Sequence, residues 1–163
     1  MRKKTEVIKP WIDQGQDVVD LDQEILDSQY GFIYCITSNI TGQKYIGKKN
    51  LHSYKTVKSQ KLNEKTGRMN KVKTVLVSES DWRKYFGSSL EIKQLVKEQG
   101  KENFTREILR FVESKKLLTY YELREQCARD VLEPNSGYLN TNILGKFFTS
   151  DWNTNKLKDQ ELC

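Results

Sequence analysis

The stretch that decides the fold is GFIYCI at residues 31–36, followed by NITG at residues 39–42 and KYIG at residues 44–47. The two outer segments are short, apolar and rich in β-branched and aromatic side chains, whereas the middle segment has the composition of a turn. The pattern predicts a β-hairpin. Tyr34 and Tyr45 fall on its two paired strands, where side chains from adjacent strands can contact each other.

Downstream of the hairpin, the sequence predicts a helix and then a third strand. Residues 88–91 (SSLE) match a capping box, the pattern that starts many helices, and Gly100 supplies a stop signal. Residues 104–111 (FTREILRF) are typical of a strand because apolar and polar side chains nearly alternate.

A second helix is predicted from about Ser114 or Thr119 to Leu132, before a Pro-Asn-Ser-Gly breaker, and residues 138–140 are then expected to be extended. The order of elements is hairpin, insert, helix, strand, helix. It predicts an α+β fold with a small mixed β-sheet, formed by the hairpin plus the third strand and flanked by helices.

Charge is unevenly distributed along the chain. Residues 13–27 carry six acidic side chains and no Lys or Arg, whereas residues 48–73 carry nine cations against the single acid Glu64. So many cations with few apolar anchors cannot pack a core, so we expect the basic segment to stay in water or to contact phosphate.

The whole-chain composition narrows the class of protein. The 163 residues carry a net charge of +6, which favours a polyanionic partner, nucleic acid first and an anionic membrane surface second. There is no apolar run of about 18 residues and no apolar segment near the N-terminus, so we expect neither a membrane span nor a signal peptide.

The cysteine and histidine content points to an intracellular, cytoplasmic protein with reduced thiols. Cys35, Cys127 and Cys163 are widely spaced and odd in number, and His52 is the only histidine. This set fits neither a disulfide framework nor a zinc site, and it leaves little room for Ser-His-Asp catalysis.

Phe32-Ile33-Tyr34 and, after ten intervening residues, Tyr45-Ile46-Gly47 resemble the two signature tripeptides of the GIY-YIG endonucleases. The chain departs from the pattern at one point, because the first glycine stands at position 31, one place early. The tyrosine keeps its place.

Further features follow in the family's order over roughly residues 30–143. They are the helix entry Gly87-Ser88-Ser89, the strand Phe104 to Leu109, Tyr120-Tyr121-Glu122 and Tyr138-Leu139-Asn140. The chain is most similar to short, free-standing phage-type members, which share a Lys-rich insert followed by Trp-x-x-Tyr-x-Gly-Ser-Ser, here residues 82–89.

The resemblance implies a division of the chain into three parts. Residues 1–29 would form an acidic N-terminal extension, residues 30–144 a catalytic domain with the basic insert at 48–80, and residues 145–163 a C-terminal tail. In the tail, Phe147, Phe148 and Trp152 are expected to pack on the core or to form a dimer contact.

Phosphodiester hydrolysis needs an activated water and neutralisation of the charge on the phosphoryl oxygens. A tyrosine phenol can relay the proton of the water if a nearby cation or metal lowers its pKa. The resemblance implies that Tyr34 is this base and that Tyr45 orients the water or the phosphate. Ordinary cross-strand aromatic packing is the alternative for both.

The resemblance also implies a metal ligand and a bracing asparagine. Glu122 is the candidate ligand for Mg²⁺ or Mn²⁺, with Glu125 as runner-up, since a single carboxylate with several waters suits these ions. Thr119-x-x-Glu122 also matches a capping box, so Glu122 could instead cap a helix. Asn140 is the candidate brace, with Asn142 as its competitor.

A cation that contacts the scissile phosphate is expected as well. Arg83 is the candidate, because its planar guanidinium can donate two parallel hydrogen bonds to phosphate, and Tyr85 would take the neighbouring aromatic or histidine position. Lys48 with His52, four residues apart, is the alternative pair.

The sequence thus predicts a divalent-metal-dependent DNA endonuclease that nicks DNA or breaks both strands, of the kind found in phages and mobile elements, homing endonucleases included. Its partner would be double-stranded DNA, on which it could act as a homodimer. The alternative is a non-catalytic, basic nucleic-acid-binding protein built on a degenerate nuclease fold. The candidate DNA-binding cations are Lys44, Lys49, Lys55, Lys58, Lys61, Arg68, Lys71 and Lys73.

Overall fold

The structure, a computed structural model, describes residues 8–152. Residues 1–7 of the expected extension and 153–163 of the expected tail, with Cys163, lie outside the described residues. In chain order the elements are β1 (Trp11–Asp13), β2 (Gln16–Val18), α1 (Gln23–Ser28), β3 (Gly31–Ser38), β4 (Lys44–Asn50), β5 (His52–Leu62), β6 (Met69–Glu79), α2 (Leu90–Gln99), β7 (Phe104–Val112), α3 (Lys115–Ala128), β8 (Asn142–Ile143) and β9 (Phe147–Phe148).

The main sheet has five strands in the order β2-β1-β7-β3-β4. β3 runs antiparallel to both β4 and β7, while β1 runs parallel to β7, so the sheet is mixed. The predicted α+β class, the hairpin and the third strand are confirmed. Residues 11–18, assigned from the sequence to the acidic extension, add two strands to this sheet, and Trp11 is buried.

Each face of the sheet packs against a different helix. Phe32, Tyr34 and Ile36 point to one face, where they pack in a cluster with residues of α2. Ile33 and Cys35 point to the other face, where they pack against residues of α3. Because successive side chains of a strand alternate between faces, β3 is buried on both sides and reads as one continuous apolar run.

The helix boundaries correct three details of the sequence prediction. The N-cap of α2 is Ser89, whose hydroxyl accepts a hydrogen bond from the backbone of Ile92, so Ser88 is not the capping residue. Ser114 caps α3, which settles the choice against Thr119. α3 ends at Ala128 rather than Leu132, because the chain turns at Asp130, which has a φ of 48°.

The basic insert forms a two-stranded antiparallel ribbon, β5 and β6, whose eleven residue pairs run from His52 opposite Glu79 to Leu62 opposite Met69. Nearly all of its side chains are exposed. Eleven residues at about 3.3 Å each extend the ribbon by roughly 36 Å. An isolated ribbon buries little apolar surface, so pairing within it is only marginally favourable without a partner.

Two further observations concern the thiols and the membrane. Cys35 is buried, which raises the pKa of its thiol, and Cys127 is exposed; both are free. No helix in residues 8–152 has the length and apolar character needed to cross a membrane.

Arg106 of β7 is a buried cation that fastens three segments of the fold together. Its guanidinium donates hydrogen bonds to the backbone carbonyls of Arg83 (2.9 Å), Tyr85 (3.0 Å) and Lys9. It lies 4.6 Å from the ring centroid of Trp11 and 4.5 Å from that of Phe86. Burial lowers the pKa of Arg106 to about 10, so it remains charged at neutral pH.

We therefore predict that Arg106→Met lowers the free energy of unfolding by about 3 kcal/mol, because three carbonyl groups lose their donor. The measurement is urea denaturation. Arg110→Met is the matched control, since Arg110 is an exposed residue of the same strand that stacks on Tyr121, and it should cost less than about 1 kcal/mol. Equal losses for the two variants would contradict the bracing role of Arg106.

Candidate active site

The outer edge of β4 is the structural basis of the site. β4 is the last strand of the sheet, and residues 137–140 run along its free edge. The backbone of Lys44 donates to the carbonyl of Gly137 (2.9 Å), and that of Leu139 donates to the carbonyl of Lys44 (2.7 Å). The segment expected to be extended thus covers an edge that would otherwise be unpaired.

Asn140 completes this edge with its side chain. Its Oδ1 accepts from the backbone N–H of Ile46 (3.0 Å), and its Nδ2 donates to the carbonyl of the same residue (2.8 Å). The side chain of Gln126 also donates to this carbonyl (3.3 Å). Asn142, by contrast, accepts from the backbone of Gly145 and holds a turn. The structure therefore places Asn140 as the brace of the second tripeptide.

The strand register puts both signature tyrosines on one face. Tyr34 lies opposite Gly47, and Tyr45 lies opposite Ile36, with 6.2 Å between the two tyrosine ring centroids. A Cβ at Gly47 would come within 2.4 Å of the Tyr34 hydroxyl. The glycine of the second tripeptide thus leaves room for the tyrosine of the first.

The two phenols have different surroundings. Tyr34 is fully buried, and its ring centroid lies 5.8 Å from that of Tyr85. Burial, followed by the neighbouring Tyr85 and Tyr45, raises the pKa of Tyr34 well above its usual value. Burial also raises the pKa of Tyr45, while hydrogen bonding with Ser88 opposes that shift. Both phenols are therefore protonated at neutral pH in the protein alone.

Glu122 reaches the site from α3, on the opposite face of the sheet. Its Oε2 lies 2.9 Å from Nζ of Lys48, and the same ammonium donates to Oγ1 of Thr119 (3.0 Å). Glu122 is inside α3 and not in its first turn, so it does not cap the helix. The runner-up Glu125 pairs instead with Arg129.

These groups meet in a cleft of about 350 Å³ at the edge of β4. Glu122 is the one carboxylate and Lys48 the one ammonium among its lining residues, while Tyr34 does not line it. The lining residues are Tyr45, Lys48, Ser88, Ser89, Glu122, Gln126, Asn140, Thr141, Asn142, Leu144 and Gly145.

The donor set of the cleft fits a hard divalent cation better than zinc. Within residues 8–152 no group of three or more His, Cys, Asp or Glu side chains could hold a metal ion. The single carboxylate of Glu122 suits Mg²⁺ or Mn²⁺, which retain several waters and accept a substrate phosphate oxygen as a ligand. The ammonium of Lys48 lies 2.9 Å from Oε2 of Glu122, so this carboxylate is already paired with a cation.

Arg83 lies away from these groups, contrary to the arrangement expected from the sequence. Its guanidinium pairs with Asp20 and Glu79 and lies 4.6 Å from the Trp82 ring, and it does not line the cleft. These long-range partners could not be read from local sequence. Tyr85, two residues later, does contact Tyr34, so the structure separates the two members of the expected pair.

The alternative pair, Lys48 and His52, shares no helix. Lys48 lies on β4 and His52 begins β5, and both line a groove of about 870 Å³ at the base of the ribbon. Lys49, a candidate DNA contact, pairs with Asp81, and its Nζ lies 4.1 Å from the ring centroid of Tyr85. Lys44 is exposed at the start of β4.

The other candidate DNA-binding cations lie on the ribbon or at its tip. Lys58 stands directly opposite Lys73, and Lys71, two residues from Lys73, shares their face. Like charges in such positions repel each other unless an anion lies between them. Ribbon cations have no ion-pair partner among the described residues, which leaves them available for phosphate. They are Lys55, Lys58, Lys61, Arg68, Lys71 and Lys73.

Some polar residues around the site, among them Gln126, Ser88 and Thr119, have no site role in the sequence prediction. Gln126 follows Glu122 by four residues, so helical periodicity places it on the same face and could have revealed it. Ser88 was noticed only as part of the helix entry. Thr119 was read as a cap, whereas its hydroxyl accepts from Lys48.

The comparison with protein families identifies a matching family. The model of the family described as "Putative endonuclease segE, GIY-YIG domain" matches residues 11–143. The match includes β1 and β2 as well as every residue of the cleft except Leu144 and Gly145. Neither the search of curated proteins nor the search of solved structures found a match.

The hydrogen bonds between Asn140 and the edge of β4 lead to a prediction about the stability of the fold. Asn140→Asp keeps the acceptor but removes the donor and places a charge against the carbonyl of Ile46, so we expect a loss of about 3 kcal/mol in the free energy of unfolding. Asn142→Asp is the matched control. Its Oδ1 acceptor is kept at an exposed position, so the loss should stay below about 0.5 kcal/mol. Chemical denaturation measures both, and a larger loss for Asn142→Asp would reverse the assignment.

Proposed function

The chain belongs to the GIY-YIG endonuclease family, and on this premise we propose that it is a divalent-metal-dependent endonuclease that hydrolyses phosphodiester bonds of double-stranded DNA. The observation that carries the proposal is the convergence of Tyr45, Lys48, Glu122 and Asn140 on one cleft. Tyr45 and Lys48 come from β4, Glu122 comes from α3 more than seventy positions later, and Asn140 comes from the segment after α3. Together they supply a carboxylate for a metal and an ammonium for a phosphate.

The reaction would proceed by attack of water on phosphorus. A new P–O bond forms to the water, one ester P–O bond breaks, the water loses a proton and the leaving oxygen gains one. A divalent cation held by Glu122 would neutralise charge on the phosphoryl oxygens. Tyr45, which lines the cleft, would orient the water or the phosphate.

Tyr34 would receive the proton of the water only after its surroundings change. Its raised pKa means that it begins as a neutral phenol, so it can pass on its own proton while it accepts another. The proton that Tyr34 gives up would pass to the adjacent Tyr85, whose ring centroid lies 5.8 Å away, and Tyr85 would release its own proton to solvent, so that both phenols stay neutral. A divalent cation in the cleft would favour this transfer by lowering the pKa of the attacking water.

Lys48, rather than Arg83, is the cation that we assign to the scissile phosphate. Lys48 lines the cleft, whereas Arg83 is held by two carboxylates elsewhere. An ammonium acts on phosphate as a point charge and does not require the bidentate geometry of a guanidinium.

The ribbon supports duplex DNA as the substrate. A two-stranded ribbon fits the major groove of B-form DNA, and the unpaired cations of this one would contact phosphates along the groove walls. The described residues of the chain form one such cleft, so one binding event would cut one DNA strand. Cleavage of both strands would need a homodimer on DNA or two successive visits.

Glu122→Gln should abolish Mg²⁺-dependent plasmid relaxation, with a fall in rate of at least about a hundredfold, because the cleft loses its one metal-binding carboxylate. Glu125→Gln makes the same chemical change on the same helix and should stay within about threefold of wild type, since Glu125 pairs with Arg129.

Chelation of the metal should stop the wild-type reaction, and Mg²⁺ or Mn²⁺ should restore it. Cutting that survives in Glu122→Gln would overturn the site assignment. If the wild-type protein binds DNA but cuts neither DNA nor RNA with any divalent metal, the non-catalytic binding function replaces the proposal.

The ribbon leads to a separate prediction about binding. We predict that the double replacement of Lys58 and Lys73 with Gln lowers the slope of log Kd against log salt by about 1.8. This is the value for two lost phosphate contacts on B-form DNA. Fluorescence anisotropy with a short duplex measures the slope. The control Lys93→Gln with Lys97→Gln removes the same charge from exposed positions of α2 and should change the slope by less than about half as much. Equal slope changes would show that net charge alone determines binding.

A further inference from the structure

Lys48 belongs to two neighbouring sites at once. Its ammonium is bound to Oε2 of Glu122 and to the hydroxyl of Thr119, and both partners lie within one turn of α3. The same side chain lines the groove at the base of the ribbon, together with His52 and the cations Lys49 and Lys115. The groove also contains the carboxylates of Glu79 and Asp81, which pair with Arg83 and Lys49. A third of the side chain is exposed (33%), which leaves it room to move.

Glu122 cannot serve Lys48 and a divalent cation equally well. It is the one carboxylate lining the cleft, and its side chain is only 17% exposed. Two cations held within about 3–4 Å of each other repel strongly where water is partly excluded. A metal ion bound at this carboxylate would therefore compete with the ammonium of Lys48 for the same negative charge.

The displaced ammonium of Lys48 can move into the groove at the base of the ribbon. Lysine carries its charge on a flexible four-carbon stem, so the head can move by several ångströms while the backbone of β4 stays fixed. The groove next to the cleft lies at the base of the basic ribbon, where a bound duplex would bring its phosphates. A phosphate there would offer Lys48 a new counter-ion.

We propose that Lys48 is an exchangeable counter-ion, which neutralises Glu122 in the free protein and moves to a DNA phosphate when a divalent cation binds Glu122. The inference rests on the proposed function. Its consequence is positive coupling between metal and DNA: the metal frees Lys48 for the phosphate, and the phosphate draws Lys48 away from the metal ligand. By thermodynamic reciprocity, each must raise the affinity of the other by the same factor.

A purely structural role for Lys48 predicts the opposite behaviour. If Lys48 served to orient Glu122 for the metal, its removal would weaken metal binding. If Lys48 competes with the metal, its removal strengthens metal binding. The sign of the change therefore distinguishes the two roles without reference to activity.

The deciding experiment measures Mn²⁺ affinity of the full-length protein without DNA, by isothermal titration calorimetry. Lys48→Met should bind Mn²⁺ about fivefold more tightly than wild type, a factor typical of a partly exposed ion pair. Lys116→Met removes the same charge from an exposed position at the start of α3 and should leave the affinity within about twofold. Weaker Mn²⁺ binding by Lys48→Met would overturn the exchange.

Thr119→Val gives a second variant that keeps the charge of Lys48. It removes the hydroxyl that helps to hold the ammonium beside Glu122, so Mn²⁺ should bind up to about twofold more tightly. Tighter binding by Thr119→Val supports the exchange, and weaker binding contradicts it. This variant decides the matter should Lys48→Met fail to fold.

Coupling to DNA is measured in the Tyr34→Phe background to suppress hydrolysis. With Lys48 present, Mn²⁺ should tighten duplex binding, and Lys48→Met should reduce that gain by at least about threefold. An undiminished gain would contradict the coupling. The variant Glu122→Gln separates this inference from the proposed function. If Glu122→Gln still binds Mn²⁺, the assignment of the metal site is wrong. If Glu122→Gln loses Mn²⁺ binding and Lys48→Met binds Mn²⁺ more weakly than wild type, only the exchange is rejected.

Discussion

The free edge of β4 is the constraint on which the rest of the site depends. An edge strand exposes unpaired backbone groups, and here residues 137–140 and the side-chain amide of Asn140 satisfy them. Only at such an edge can side chains from both faces of a sheet reach one cleft. Tyr45 comes from the face that packs on α2, and Glu122 comes from the helix on the other face. A sixth strand hydrogen-bonded along β4 would close this opening.

The register of β3 and β4 then distributes the chemistry between the faces. Tyr45 and Gly47 share the face of Tyr34, whereas Lys48, one residue further, turns to the side of α3 and meets Glu122. A slip of one residue would exchange these faces and bury Lys48 in the aromatic cluster. The close fit of Gly47 against the Tyr34 hydroxyl opposes such a slip, because any side chain at that position would collide with the ring.

Sequence was sufficient where the information is local. The hairpin and the stop at Gly100 follow from turn and glycine chemistry over a few residues, and the same local signals limit the start of α3 to Ser114 or Thr119. The strand β1 and the burial of Trp11 could not be predicted, because a three-residue strand beside an acidic run has almost no periodic pattern of apolar residues. The position of Arg83 could not be predicted for a related reason, because its carboxylate partner Asp20 lies 63 residues away in the chain.

The basic charge of the chain therefore has two distinct uses. Arg83, Arg106, Lys49 and Arg129 are bound within the protein, to carboxylates or to carbonyl groups, and they stabilise the fold. The ribbon cations have no such partners among the described residues, so their mutual repulsion is relieved only by an external anion. Lys48 lies at the boundary between these two groups, with an internal partner and access to solvent. Net charge alone would not have separated them, because what distinguishes one lysine from another is the presence of a carboxylate within reach.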